Sequence, residues 1–255
     1  MGIFAGTNRR GLALAAMCVV LAPVAGQAAE VKLLASVAIK SMFDQVIPAF
    51  EKASGDTVVV QYATAAGTAK QIESGVPFDV AVTVQKSTDA LVKSGAVLAQ
   101  PRPVVGVAVA ALAYREGSKR PDISTDAKFK SVVLSAPRIS LSDPALGGAS
   151  AVYFLSVVKR LGIDAQVGPR LINTKPGEGA MPVQTGEARY GVAMTSEVAA
   201  VKGVRAVPIF PTDPASSLVL VASISSKANQ PAAAAAFVKY LQSPAVMKLR
   251  KKNGL

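Results

Sequence analysis

The chain has 255 residues, of which 28 are basic and 16 acidic, so its formal net charge is +12. It contains no histidine, no tryptophan and a single cysteine. These absences exclude the usual zinc ligand sets, the Ser/His/Asp triad and the Cys/His dyad, so an enzyme would have to use carboxylate, lysine, tyrosine or hydroxyl chemistry. We expect no metal and no cofactor.

The first 29 residues have the layout of a secretory signal. Arg9 and Arg10 precede an apolar run over residues 11–26, and small residues at 26–29 offer a processing site. The run is short for a membrane span, and polar sequence starts at Glu30, which disfavours the alternative of an uncleaved anchor. The single cysteine, Cys18, lies in this segment. We therefore expect a periplasmic mature chain without thiols or disulfides.

The mature chain remains basic. The predicted signal contains two arginines and no acidic residue, which leaves a formal charge of +10. The basic residues are dispersed and aromatic residues are few, so the stacking surfaces of nucleic-acid-binding proteins are missing. A dispersed positive field keeps an exported protein soluble, and it also attracts small anions.

Strand-like and helix-like segments alternate along the mature chain, which is typical of an α/β fold with mixed, mostly parallel sheets flanked by helices. In the first block, predicted strands cover residues 31–35, 57–61, 79–84 and 104–113, and predicted helices cover residues 39–54, 69–74 and 87–93. Pro48 is expected to kink the last turn of the first helix.

The second block repeats the same alternation. Predicted strands cover residues 138–141, 171–173, 190–194 and 217–223, and predicted helices cover residues 149–161, a segment ending near 185–187, 231–242 and 244–251. The apolar runs at 104–113 and 217–223 are placed where the chain crosses between two lobes. We expect a first lobe of residues 30–106 plus 218–255, and a second lobe of residues 107–217.

Four strand-to-helix junctions are rich in small and hydroxyl residues. They lie at residues 36–38, 64–68, 147–150 and 176–179. A helix N-terminus carries partial positive charge and free N–H groups, and ligands of open α/β sheets bind at the carboxyl ends of the strands. Each junction taken singly is also an ordinary helix cap or turn. Four together favour an anion site.

Several segments resemble the molybdate-binding-type periplasmic proteins of ABC importers. They are residues 33–38 (LLASVA), 48–55 (PAFEKASG), 69–80 (AKQIESGVPFDV), 142–150 (SDPALGGAS), 186–192 (GEARYGV) and 237–244 (FVKYLQSP). The resemblance spans nearly the whole mature chain. It implies a type II periplasmic binding protein: two α/β lobes, a ligand cleft between them, and a monomer that delivers a small anion to a permease in the inner membrane.

The resemblance also implies a set of ligand contacts. The positions that it implies, with neighbours that can substitute, are Ser36, Thr64, Ala65, Gly67, Thr68, Ala149, Ser150, Pro176, Gly177, Met194 and Thr195. Ser36 and Ala149 match the family pattern. Ala65 stands where the family usually offers a hydroxyl, and Met194 where a tyrosine is typical. Because a buried oxyanion needs complete hydrogen bonding, a small organic carboxylate fits this altered set at least as well as molybdate.

Two functions of different classes follow. The first is a solute-binding protein whose lobes close on an anion. The alternative is an aconitate isomerase-type enzyme on the same scaffold, which shifts a double bond in a tricarboxylate by proton transfer. The residues near the junctions that offer a base are Lys40, Lys70, Lys175, Glu178 and Glu197, although each has an ordinary role as a solvated or helix-capping side chain. The sequence assigns the base to none of them.

Overall fold

A computed structural model describes residues 1–2 and 28–255. The predicted signal, apart from its ends, and Cys18 lie outside the described residues. Within them, nine strands and ten helices alternate. The strands are β1 (Glu30–Ser36), β2 (Thr57–Ala63), β3 (Val80–Val84), β4 (Val104–Arg115), β5 (Ile139–Ser142), β6 (Leu171–Thr174), β7 (Tyr190–Met194), β8 (Val204–Pro208) and β9 (Ser217–Ile224).

The helices are α1 (Lys40–Ser54), α2 (Ala65–Glu73), α3 (Gln85–Lys93), α4 (Asp126–Leu134), α5 (Ala149–Arg160), α6 (Asp164–Val167), α7 (Met181–Thr185), α8 (Thr195–Ala199), α9 (Pro231–Tyr240) and α10 (Pro244–Lys252). A short 3-10 turn, Val37–Ile39, joins β1 to α1. No helix among the described residues is both long enough and apolar enough to cross a membrane.

The strands form two parallel groups joined by two antiparallel strands. In the first group β1 pairs in parallel with β2 and β3, and in the second β5 pairs in parallel with β6 and β7. Strand β9 pairs antiparallel with β3 and with the first half of β4, while the second half of β4 pairs antiparallel with β7 and β8. We call the β1–β3 side the first lobe and the β5–β7 side the second lobe.

Strand β4 passes from one lobe to the other. Its residues up to Val109 pair with β9, and those from Ala110 onward pair with β7 and β8. This long strand was predicted from its apolar run, and so was β9. The exact domain boundaries, residues 106/107 and 217/218, stay a prediction, although the change of partner within β4 supports a crossing close to the first.

Most predicted elements are found within one to four residues of their expected bounds. Helix α2 begins at Ala65 and not at residue 69, because Thr64 caps it by accepting the N–H of Gly67 at 3.0 Å. Four elements have no counterpart in the prediction: α4, α6, α8 and β8. Helix α8 follows β7 without a loop, so no turn residue marks its start. Pro48 lies inside α1, which continues to Ser54.

An aromatic cluster holds α1 in place. The ring of Phe237 on α9 lies 5.0 Å from that of Phe50 and 6.0 Å from that of Phe43, centroid to centroid. All three rings are buried against the sheet. Since α1 also carries residues that border the cleft between the lobes, this packing fixes one wall of the cleft.

We expect Phe237→Ala to lower the free energy of unfolding by about 3–5 kcal/mol, because it removes a fully buried ring and leaves a cavity. Urea denaturation followed by circular dichroism measures the change. The control is Val152→Ala at a side chain that is 53% exposed, for which a change within about 0.5 kcal/mol is expected. Equal effects of the two substitutions would contradict this role of the cluster.

Candidate functional site

A small cavity, which we call the inner pocket, lies where the two lobes meet at the carboxyl ends of β1, β2, β5 and β7. Its volume is about 20 Å³. It is lined by Ser36, Val37, Ala38, Thr64, Ala65, Ser142, Gly148, Ala149, Ser150, Pro176, Gly177, Met194, Glu197 and Leu218. None of these residues is a lysine or an arginine.

Eight of the eleven predicted ligand contacts line the inner pocket. They are Ser36, Thr64, Ala65, Ala149, Ser150, Pro176, Gly177 and Met194. Seven of them come from the four junctions, two in each lobe, and the eighth, Met194, ends β7 in the second lobe. Six further lining residues are not among the predicted contacts: Val37, Ala38, Ser142, Gly148, Glu197 and Leu218. Four of them lie inside segments that carry the family resemblance, and Glu197 is one of the candidate bases, so only Leu218 has no signal in the sequence.

The other three predicted contacts have structural partners and lie outside the inner pocket. The N–H of Gly67 donates to Thr64 Oγ1, and the buried Thr68 hydroxyl donates to the Thr64 carbonyl at 3.1 Å. The Thr195 hydroxyl donates to the Gly254 carbonyl at 2.7 Å and accepts the N–H of Val109 at 3.1 Å. These hydroxyls are already paired, so they do not replace the donors that the family pattern has at Ala65 and Met194.

Helix starts face the inner pocket from both lobes. Ser36 precedes the 3-10 turn into α1, Thr64 caps α2, and Gly148 precedes the 12-residue helix α5. No side chain caps α5, so its first N–H groups keep their hydrogen-bonding capacity. A Cβ at position 148 would lie 2.9 Å from Ser142 Cβ, so glycine permits the close approach of α5 to β5. The fourth junction differs from its prediction: residues 176–179 form a turn, and α7 starts only at Met181.

Glu197 brings a carboxyl group to this polar but uncharged pocket. Its Oε2 accepts the backbone N–H of Met194 at 2.9 Å, across the start of α8. Burial raises the pKa of this carboxyl to about 7 from an ordinary 4.5, and the hydrogen bond from Met194 offsets only part of the effect. Near neutral pH, both protonation states of Glu197 are therefore populated.

A larger cavity of about 630 Å³, which we call the outer cavity, adjoins the inner pocket. The two share Val37, Pro176, Gly177 and Glu197. The remaining lining residues of the outer cavity are Lys40, Ser41, Asp44, Tyr62, Ala63, Lys175, Glu178, Met181, Ser196, Ala200 and Val201. Residues of both lobes thus enclose it, as they do the inner pocket.

Four of the five candidate bases border the outer cavity, and Lys70 borders neither cavity. Lys40 is engaged by Asp44 at 2.7 Å, in an exposed ion pair one helical turn apart. Of the four, only Glu197 also lines the inner pocket. Among the described residues, no group of three or more His, Cys, Asp or Glu side chains is arranged to hold a metal ion.

Comparison with known proteins identifies the family. Residues 31–255 match the family described as bacterial extracellular solute-binding protein. The chain belongs to this family. An aconitate isomerase from a Pseudomonas species is 31% identical over 254 residues, which cover 96% of this chain and 95% of that protein. The molybdate-binding protein of Escherichia coli is 27% identical over 229 residues, 88% of each chain.

Solved structures of solute-binding proteins share the fold. The periplasmic molybdate-binding protein of Azotobacter vinelandii aligns with a TM-score of 0.69 at 19% identity, over 88% of this chain and 97% of that one. The substrate-binding domain of a molybdenum ABC transporter from Clostridium difficile, described as putative, aligns with a TM-score of 0.62 at 17% identity, over 89% and 98%. The predicted two-lobed type II binding-protein fold is confirmed. This solute-binding protein accordingly functions outside the cytoplasm.

The raised pKa of Glu197 predicts a pH dependence of stability. The carboxyl is neutral in both the folded and unfolded chain below about 4.5, and ionised in both above about 7, where its burial is unfavourable. The free energy of unfolding should therefore fall as pH rises through this window, by up to about 3 kcal/mol.

Urea denaturation at pH 5 and pH 8 measures this effect by comparing the wild type with Glu197→Gln. The amide oxygen still accepts the Met194 N–H but does not titrate, so the variant should gain stability relative to the wild type as pH rises. A difference between the two proteins that is the same at both pH values would contradict the assignment.

Proposed function

We propose that the chain is a periplasmic solute-binding protein that captures a small anion in the inner pocket and presents it to an ABC permease of the inner membrane. The observation that carries the proposal is the convergence of helix starts from both lobes on one pocket lined by Ser36, Thr64, Ala149 and Ser150. Backbone N–H groups at helix N-termini bind anions without a buried cation.

The family and its relatives support this function. Binding proteins with this fold hold their ligand between two lobes, and the relatives include molybdate-binding proteins. The basic surplus of the mature chain attracts anions to the cleft. Ala65 and Met194 replace the hydroxyl-bearing residues that the molybdate-binding pattern has at these positions. The anion is therefore either an oxyanion such as molybdate or a small organic carboxylate.

The matched variants Ala149→Asp and Val152→Asp test this proposal. Both place a carboxylate on α5, but Ala149 lines the inner pocket at its N-terminus whereas the Val152 side chain is 53% exposed. The new carboxylate at 149 occupies the N–H groups that an anion needs and repels it, so binding should weaken at least about a hundredfold, equivalent to roughly 2.7 kcal/mol.

Isothermal titration calorimetry against molybdate, tungstate, sulfate, succinate and citrate provides the measurement, with circular dichroism to check that both variants fold. The expected result is binding of at least one anion by the wild type and by Val152→Asp, and its loss in Ala149→Asp. The proposal fails if the wild type binds none of these anions.

A second candidate function is an aconitate isomerase-type reaction, which one observation favours. Glu197 lines both cavities, and its pKa of about 7 gives it both protonation states at neutral pH. A carboxyl group that can act both as a base and as an acid suits a reaction in which a proton leaves one carbon and returns to another. The 31% identity to an aconitate isomerase adds to this candidate.

In such a reaction the Glu197 carboxylate takes a proton from the methylene carbon beside the double bond. The C–H electron pair forms a new double bond, and the old double bond shifts its electrons to the far carbon. The protonated Glu197 then returns the proton to that far carbon. No cofactor or second reactant is consumed.

Incubation with cis-aconitate followed by proton NMR tests this candidate. The wild type should form the isomer, with a rate that rises as pH increases through about 7, and Glu197→Gln should lose at least about a hundredfold in rate. Calorimetry with the same variant should show retained binding, which separates chemistry from capture. An unchanged rate in Glu197→Gln would rule out Glu197 as the base.

A further inference from the structure

The two cavities meet at a boundary that four residues share. Val37, Pro176, Gly177 and Glu197 line both the inner pocket and the outer cavity, so they lie between the two. The inner pocket, at about 20 Å³, is close to the ~10–15 Å³ that one water-sized group needs, whereas the outer cavity measures about 630 Å³. The side chains at this boundary therefore decide whether a ligand in the inner pocket extends into the larger space.

The two lobes contact each other at this boundary. Val37 follows β1 in the first lobe, and Gly177 follows β6 in the second. A Cβ added to Gly177 would lie 2.8 Å from Val37 Cγ2, closer than Cβ atoms approach other atoms in proteins. The valine methyl group thus occupies the space that a side chain at position 177 would need. The absence of a Cβ at Gly177 is what lets the lobes come this close.

Gly177 lies in a turn with little freedom to move. The N–H of Glu178 donates to the Lys175 carbonyl at 3.1 Å, and Gly177 has a φ of +83° directly after Pro176. Proline followed by a glycine at positive φ is typical of a type II turn. The Ser142 hydroxyl donates to the same Lys175 carbonyl at 3.4 Å, which ties the turn to the end of β5. This wall of the cleft therefore does not retreat easily from a ligand.

Val37 is held firmly on the opposite side. It begins the 3-10 turn Val37–Ile39, whose other two residues are buried, and the N–H of Ala38 donates to Ser36 Oγ at 3.3 Å. A β-branched side chain has few accessible rotamers, so its methyl groups do not swing aside freely. Of the four boundary residues, Val37 is the one that the first lobe contributes.

We propose that Val37 is the residue that limits ligand size: by packing against Gly177 across the cleft, it closes the inner pocket against the outer cavity and selects compact anions over organic acids with longer chains. The proposal rests on the proposed capture of an anion by the inner pocket and narrows the ligand class. A longer acid would have to break the contact between Val37 and Gly177 and part the lobes.

Calorimetry of Val37→Ala tests the size limit, with molybdate, sulfate and acetate as compact probes and succinate and citrate as longer ones. In the wild type, one compact anion should bind at least about tenfold more tightly than either longer acid, equivalent to roughly 1.4 kcal/mol and within the cost of an overpacked contact. Val37→Ala removes two methyl groups from the boundary, so this preference should fall at least about fivefold.

Val152→Ala is the matched control, because it makes the same chemical change at a side chain that is 53% exposed. It should keep the wild-type preference. The size limit is overturned if Val37→Ala also keeps that preference, or if the wild type binds succinate or citrate more tightly than every compact anion.

Gly177→Ala tests the contact itself. Its new Cβ meets Val37 Cγ2, so the lobes can no longer approach fully, and the tightest compact probe should bind at least about tenfold more weakly. The matched control is Gly75→Ala. Its φ of +84° imposes a similar backbone strain, but nothing lies within 4 Å of an added Cβ, so binding should not change. Circular dichroism checks that each variant folds.

The double variant Val37→Ala/Gly177→Ala separates the contact from a general loss of structure. Removing the valine methyl groups makes room for the new Cβ, so the compact probe should bind within about threefold of its affinity for Val37→Ala alone. A double variant that binds as weakly as Gly177→Ala, or weaker, would contradict the contact.

The outcomes distinguish this inference from the proposed function. If the wild type binds an anion but the Val37 and Gly177 variants do not behave as described, the inner pocket captures anions and the size limit is wrong. If no probe binds to the wild type, the proposed capture fails and the size limit fails with it.

Discussion

The antiparallel pairing of β4 with β9 is the constraint on which the rest of the structure depends. Strand β9 lies between β3 and β4 in the first lobe and pairs with both. Strand β4 pairs with β9 through its first half and with β7 and β8 of the second lobe through its second half. Strand β4 is therefore the one strand of the described sheet that pairs with strands of both lobes. Because the parallel strands of both lobes end where the lobes meet, the loops that follow them face one another there and line the inner pocket.

The inner pocket combines backbone N–H groups with a lining that contains no cationic side chain. The inner pocket has no lysine or arginine, whereas helix α5 starts there with uncapped N–H groups. A carboxyl, Glu197, is the ionisable group in its lining, and burial moves its pKa to about 7. The protonation state of this one group decides whether the lining of the pocket is neutral or negative.

The residues that line the inner pocket were easier to predict from the sequence than the hydrogen-bond partners of individual hydroxyl groups. Ser36 and Ala149 were found because a strand end followed by a small residue and a helix is a local pattern. Thr68 and Thr195 were also selected as donors, yet both hydroxyls are used within the fold, by the Thr64 carbonyl and by Gly254 and Val109. The Thr195 hydroxyl pairs with residues far apart in sequence, so no local pattern reports it, whereas the Thr68 hydroxyl bonds the carbonyl four residues before it, at the start of α2.

The sequence by itself determined the alternation of strands and helices, the family resemblance, the two crossing strands and most of the residues that line the inner pocket, because hydrophobic periodicity and small-residue junctions are local properties. Only the tertiary structure decided that the Thr195 hydroxyl is paired within the fold, where the outer cavity lies, and that the partly buried Glu197 carboxyl has a raised pKa. Burial and hydrogen-bond pairing are sums over neighbours from both lobes, and these neighbours are brought together only when the two lobes fold around β4 and β9.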